Sequence, residues 1–141
     1  MINLLYKRMS VLIADPDVDF TNHLRRIIAE RTDVTVCAST TCADLVLMLT
    51  CEKKPQILIV NPDMFNAGKT AFFTKLRCSI RSNLVIVVTA ACNIRERNEI
   101  QNNFEKSAIS FVAAADFSPH AMVISLSSAL AVLASMPAGL A

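Results

Sequence analysis

Five short apolar runs recur along the chain, at Ser10–Ala14, Val34–Ala38, Ile57–Val60, Leu84–Val88 and Ile109–Ala115, with starts 23 to 27 residues apart. Successive apolar positions leave both sides of the pleat hydrophobic, as in strands buried on both faces of a parallel sheet. Each interval has room for one helix and two loops. Within the intervals the apolar residues fall at helical spacing: Phe20, Leu24, Ile27 and Ile28, then Cys42, Leu45, Val46 and Leu49, then Phe73, Leu76 and Ile80. The stretch Asn93 to Lys106 keeps only Ile94, Ile100 and Phe104 among polar residues, which predicts a helix mostly facing water. Ser118-Pro119 supplies an N-cap and a first-turn proline for a last helix ending near Ala134. The pattern predicts a (βα)5 chain, an α/β doubly wound parallel five-stranded sheet in a three-layer sandwich. Any site is then expected at the carboxyl ends of the strands.

Composition narrows the class. Of 141 residues, 53% are hydrophobic and 18% charged, which suits one compact core and excludes a disordered chain. With only two glycines and no low-complexity linker, one domain is expected over 10–135, after an N-terminal extension at 1–9 and before a tail or linker start at 136–141. A net charge of +2 argues against direct nucleic-acid binding by this domain. The five cysteines (Cys37, Cys42, Cys51, Cys78 and Cys92) form an odd set without a CxxC, and residues 1–8 lack a long apolar signal core. A reducing cytoplasm is the natural compartment, with the cysteines expected as small core hydrophobes.

The strand ends carry the candidate chemistry. The first ends in Ala14-Asp15-Pro16-Asp17, the third in Val60-Asn61-Pro62-Asp63-Met64, the fourth in Thr89-Ala90 and the fifth in Ala113-Ala114-Ala115-Asp116-Phe117. In this order, an acidic turn, a residue-x-x-Met turn, Thr-Ala and Phe-Ser-Pro, the chain resembles the receiver domain of bacterial response regulators, the CheY-like member of the flavodoxin-like folds. The resemblance spans roughly Ser10 to Leu133. It implies two-component signalling: in that family a histidine kinase donates a phosphoryl group to an aspartate ending the third strand. Two acidic residues after the first strand join that aspartate in holding Mg²⁺, a Thr or Ser ends the fourth strand, and a Lys ends the fifth. A hard oxygen site, a carboxylate nucleophile and cations for the phosphoryl charge are what the transfer requires.

Carried over by position, the resemblance is incomplete. Asp15 matches the first acidic residue and Thr89 the hydroxyl. Pro16 stands at the second acidic position, with no side-chain oxygen. Asn61 occupies the acceptor position, three residues before Met64, and an amide is a poor nucleophile. The Lys falls at Ala114 or Ala115. The implied protein is a degenerate pseudo-receiver without cofactor or metal, a signalling module and not an enzyme. Asp17 and Asp63 are residual acids: Asp63 with Mg²⁺ would be a displaced acceptor, and the plainer reading of Asp15, Asp17 and Asp63 is turn residues or helix N-caps. A small ligand in the former phosphate pocket is a further alternative. Ala67-Gly68-Lys69-Thr70 only ends like a phosphate loop, and His23 and His120 lack metal-ligand spacing.

Charge distribution adds one feature. Every Lys, Arg, Asp and Glu lies before Phe117, and residues 117–141 carry none. In the last helix Met122, Leu126, Leu130 and Leu133 form a stripe for the sheet. Ala121, Ile124, Ser128, Ala131 and Val132 lie on an uncharged opposite face, suggesting contact with a protein partner or a second copy, a homodimer. A membrane span over Phe117–Met136 is opposed by His120, five serines and the need for this stretch in the fold. The expected protein is a phosphorylation-independent interaction module, the N-terminal regulatory part of a larger bacterial regulator of the transcriptional or pilus-localisation type.

Overall fold

The computed structural model describes residues 8–65, 69–80, 84–89, 95, 98–99, 102, 109–113, 126–132 and 134. Strands β1 (Met9–Ala14), β2 (Val34–Thr40), β3 (Ile57–Val60), β4 (Leu84–Val88) and β5 (Ile109–Ala113) alternate with helices α1 (Val18–Ala29), α2 (Ala43–Lys53) and α3 (Lys69–Ser79). A 3-10 turn at Pro62–Met64 follows β3. All strand pairs are parallel, in the order β2-β1-β3-β4-β5. Two of the sequence runs match their strands to the residue. β1 gains Met9, and β2 continues to Thr40, two residues past the apolar run. Of the expected fifth strand, Ala114 and Ala115 lie outside the described residues.

Because successive side chains point to opposite faces, β1, β3 and β4 each feed two separate cores. Leu12, Ala14, Leu58, Val60, Leu84, Ile86 and Val88 pack with Val46 of α2 and with Phe72, Phe73 and Leu76 of α3. Val11, Ile13, Ile57, Ile59, Val85 and Val87 pack with Leu24 and Ile28 of α1 and with Leu126 and Ala129 of the last helix. The topology dictates this division. The chain moves one way across the sheet from β1 to β2 and the other way from β2 through β3 and β4, so right-handed crossovers put α1 and α2 on opposite faces.

Gln56, just before β3, straps the amino ends of three strands together. Its side-chain oxygen accepts from the Ser10 N–H at 3.0 Å, its own N–H donates to the Ser10 carbonyl at 3.0 Å, and its carbonyl accepts from Val85 N–H at 3.0 Å. β1 and β2 slip register between Val11 and Leu12, whose partners are Val36 and Ala38. Cys37 is the extra residue of this bulge, and its thiol donates to the Val11 carbonyl at 3.4 Å.

Two sequence expectations need correction. Cys42, Cys51 and Cys78 are exposed free thiols and not core residues; Cys37 alone of the four described is half-buried. The α2 stripe is displaced in part: Val46 and Leu49 meet the core as expected, with Thr50 buried and Leu47 packed beside them, whereas Leu45 and Met48 are 41% and 50% exposed. α2 is apolar on nearly every side, so hydrophobicity alone does not define which side meets the sheet. Buried Thr50 is accommodated because its hydroxyl donates to the Val46 carbonyl at 2.7 Å. In the segment expected to face water, Arg95, Asn98, Glu99 and Asn102 are helical and exposed, with Arg95 and Glu99 paired at 3.4 Å.

Candidate functional site

The carboxyl ends of β1, β3 and β4 lie side by side, each stapled to its neighbour through its first loop residue. Asp15 N–H donates to the Thr40 carbonyl at 3.2 Å, Asn61 N–H to the Ala14 carbonyl at 2.8 Å, and Thr89 N–H to the Val60 carbonyl at 3.0 Å. Asp15, Asn61 and Thr89 therefore converge at the point where the strand order reverses, which is where open α/β sheets form their crevice.

Asp15 is the centre of this group. Only 5% of it is exposed. One carboxylate oxygen, Oδ1, accepts from Asp17 N–H at 2.8 Å, and the other accepts from the Thr89 hydroxyl at 3.3 Å. Pro16 between Asp15 and Asp17 has no N–H, so Asp17 offers the first backbone donor that can close the turn. The Asn61 side chain favours the charged form of Asp15, and Asn61 Oδ1 accepts from Asp63 N–H at 3.0 Å. Burial raises the Asp15 carboxyl above its ordinary range, against the pull of the Asp17 N–H, Asn61 and Thr89, and the Asp17 charge raises it further. Among the described residues, none of the groups acting on it is cationic.

Of the remaining candidate residues, Asp17 and Asp63 join this network through their backbone N–H groups. Pro16 is exposed. Asp17 caps α1, its Oδ1 accepting from Asp19 N–H at 3.0 Å and Phe20 N–H at 3.2 Å. Asp63 is exposed on the 3-10 turn that Asn61 caps. Among the described residues no three His, Cys, Asp or Glu side chains form a metal-binding group. The Mg²⁺ site that the resemblance implies does not fit here: Asp15 has both oxygens engaged, Pro16 offers none, and the Asp17 carboxylate is turned to its helix.

Ala114, Ala115, Ala121 and Ile124 lie outside the described residues. On the last helix Ser128 and Ala131 are exposed. Val132, expected on the outward face, is instead half-buried against the α1-side core. The buried stripe is centred on Ala129, and Val132, one turn further, flanks it. No helix among the described residues is long and apolar enough to cross a membrane. A cleft of about 330 Å³ between α2 and α3 is lined by Leu47, Phe65, Phe72, Asp44 and Lys75 among others. The Phe65 and Phe72 rings stack at 4.0 Å. Asp15, Asn61 and Thr89 are not among its lining residues. Asp15, Asn61 and Thr89 are legible in the sequence as strand ends, but the Thr89–Asp15 hydrogen bond and the part of Thr40 are not. Only the parallel registers of β1 with β2 and β3, and of β3 with β4, bring these groups together.

No protein-family model and no curated protein matches the sequence. Solved structures do. The response regulator domain of Thermotoga maritima CheB superposes with a TM-score of 0.68 at 16% identity, covering 93% of this chain and 100% of that one. A two-component response regulator of the LuxR family from Aurantimonas sp. SI85-9A1 gives 0.67 at 18% identity, covering 92% and 88%. A response regulator protein from Burkholderia pseudomallei, with a phosphorylated aspartic acid, calcium ion and citrate, gives 0.61 at 16%, covering 89% and 71%. The chain has the CheY-like receiver fold.

Proposed function

We propose that this chain is a receiver-type signalling module that acts by protein contact and without phosphoryl transfer, in a cytoplasmic bacterial two-component pathway. The observation that carries the reading is Asn61, an amide and not an acid, at the end of β3, with its N–H on the Ala14 carbonyl and its Oδ1 accepting from Asp63 N–H. The neutral amide offers no anionic nucleophile. Asp15, in turn, holds protein donors on both oxygens, an arrangement that favours a fixed structure over a site exchanging ligands. The Burkholderia protein has a phosphorylated aspartic acid. Here Asp63 is the acid that follows β3 among the described residues, and it is exposed on the turn beyond the strand.

The test is incubation with Mg²⁺ and acetyl phosphate, and separately with beryllofluoride, read by intact mass and two-dimensional NMR. An unmodified mass and an unchanged spectrum are expected; stoichiometric phosphorylation would sink the proposal. The contact surface we assign to the last helix, where Ser128 and Ala131 are exposed in an uncharged stretch. Sedimentation should show self-associated wild-type protein and monomeric Ala131→Glu. A monomeric wild type would remove the homodimer and leave the face to a different protein.

A further inference from the structure

A second concavity lies on the α1 side of β2, away from the carboxyl ends of the strands. Its volume is about 270 Å³ and its walls carry Arg8, Arg25 and Arg31 over a floor that includes Ile28, Val34 and Val36. Among the described residues, no acid lines it. The three arginines reach it from separate places: Arg8 precedes β1, Arg25 sits on α1, and Arg31 lies in the turn to β2. Arg31 is held by Asp33, with Nε to Oδ1 and Nη2 to Oδ2 both at 3.0 Å, and its Nη1 donates to Ser127 of the last helix at 3.2 Å. Arg25 Nη1 donates to the Ser39 hydroxyl at 3.4 Å.

Three arginine side chains, whose charge is never lost, therefore line one small cleft, and Asp33 offsets one of them. A guanidinium has five N–H donors in a planar fork, so most of those on Arg8 and Arg25 remain available. Ile28 and Val34 are buried, 0% and 2% exposed, and keep water from one side of the cleft, which strengthens any charge-assisted bond made there. We propose that this cleft binds a small polyanion, one bearing phosphate or clustered carboxylate oxygens. Its size is near the lower limit of ligand pockets, about 300 Å³, which excludes a large ligand. Glu30 and Asp33 stand in the adjoining turn and would repel a long polyanion such as nucleic acid. The site uses the last turns of α1 and the first residues of β2, so it stands independently of how Asp15 and Asn61 are read.

The experiment is an NMR titration of the whole chain with sodium pyrophosphate and with citrate, against sodium chloride at matched ionic strength. Saturable shifts are expected at the Val34, Thr35 and Val36 amides and at the arginine Nε–H signals, with a dissociation constant of about 1 mM or lower. Arg8→Gln and Arg25→Gln, both at exposed positions, should each weaken binding about tenfold while keeping a native spectrum. Tighter pyrophosphate binding assigns phosphate, and tighter citrate binding assigns carboxylates. Shifts that fail to saturate, that chloride reproduces, or that both variants retain at full affinity overturn the proposal.

Discussion

Asp15 keeps a carboxyl group in the interior with neutral donors and, among the described residues, no cation, and this choice has a pH signature. Its folded-state carboxyl titrates above the ordinary value because burial penalises the charge. The folded protein then holds the proton more tightly than the unfolded chain, so the contribution of Asp15 to stability falls as pH rises from the ordinary carboxylate range through the raised value. Asp33 acts in the opposite sense. Its salt bridge to Arg31 lowers its carboxyl, giving stability that is lost as pH falls below the ordinary range. Urea unfolding of wild type and Asp15→Asn between pH 4 and pH 7 should separate them: the variant, lacking the Asp15 titration, gains stability relative to wild type as pH rises. A difference that is flat with pH would show that Asp15 is not perturbed.

Single elements differ in how plainly their sequence announces them. In α1, Asp17 as N-cap, Asp19 in the first turn and the apolar face of Phe20, Leu24 and Ile28 all agree. The Asp17 carboxylate satisfies two N–H groups that the helix itself cannot, so Asp17→Ala should cost about 1 kcal/mol in urea unfolding, and Asp17→Asn much less. α2 is harder to read. Its run Ala-Asp-Leu-Val-Leu-Met-Leu-Thr offers almost any phase, and the seam that meets the sheet ends on a threonine, so the apolar residues Leu45 and Met48 are left outside. Its last residue, Lys53, is followed by Lys54 in the left-handed region at φ 49, a position where glycine is the usual choice, and the stop is marked instead by Pro55, which cannot continue a helix. The strands were legible because burial on both faces leaves a continuous apolar run. The ends of β2 were not, since Ser39 and Thr40 are held by backbone pairing with Ile13 and Ala14 and not by hydrophobicity. The same limit applied at the site: Asp15, Asn61 and Thr89 could be read off as strand ends, but their contacts depend on registers that no local pattern encodes.

On the scale of the whole molecule the sheet separates two cores that share no side chain. Leu24 belongs to one and Phe73 to the other, each 0% exposed. Leu24→Ala should cost about 2–5 kcal/mol and Phe73→Ala about 3–5 kcal/mol, each through a lost transfer term and a cavity. Because the backbone of the sheet lies between them, the double variant should equal the sum within about 0.5 kcal/mol by chemical denaturation. Coupling well beyond that would mean the sheet transmits strain from one layer to the other. The separation also bears on how strands find their alignment. A strand apolar on both faces can slide by one residue and still bury hydrophobic groups, so greasy runs such as Ile57–Val60 and Leu84–Val88 choose their partners but not their offset. The offset has to be set by polar groups at the strand ends. Gln56, gripping Ser10 on one side and Val85 on the other, is where such an indexing mark stands: slipped by one residue, it would leave its own amide and that of Ser10 without partners.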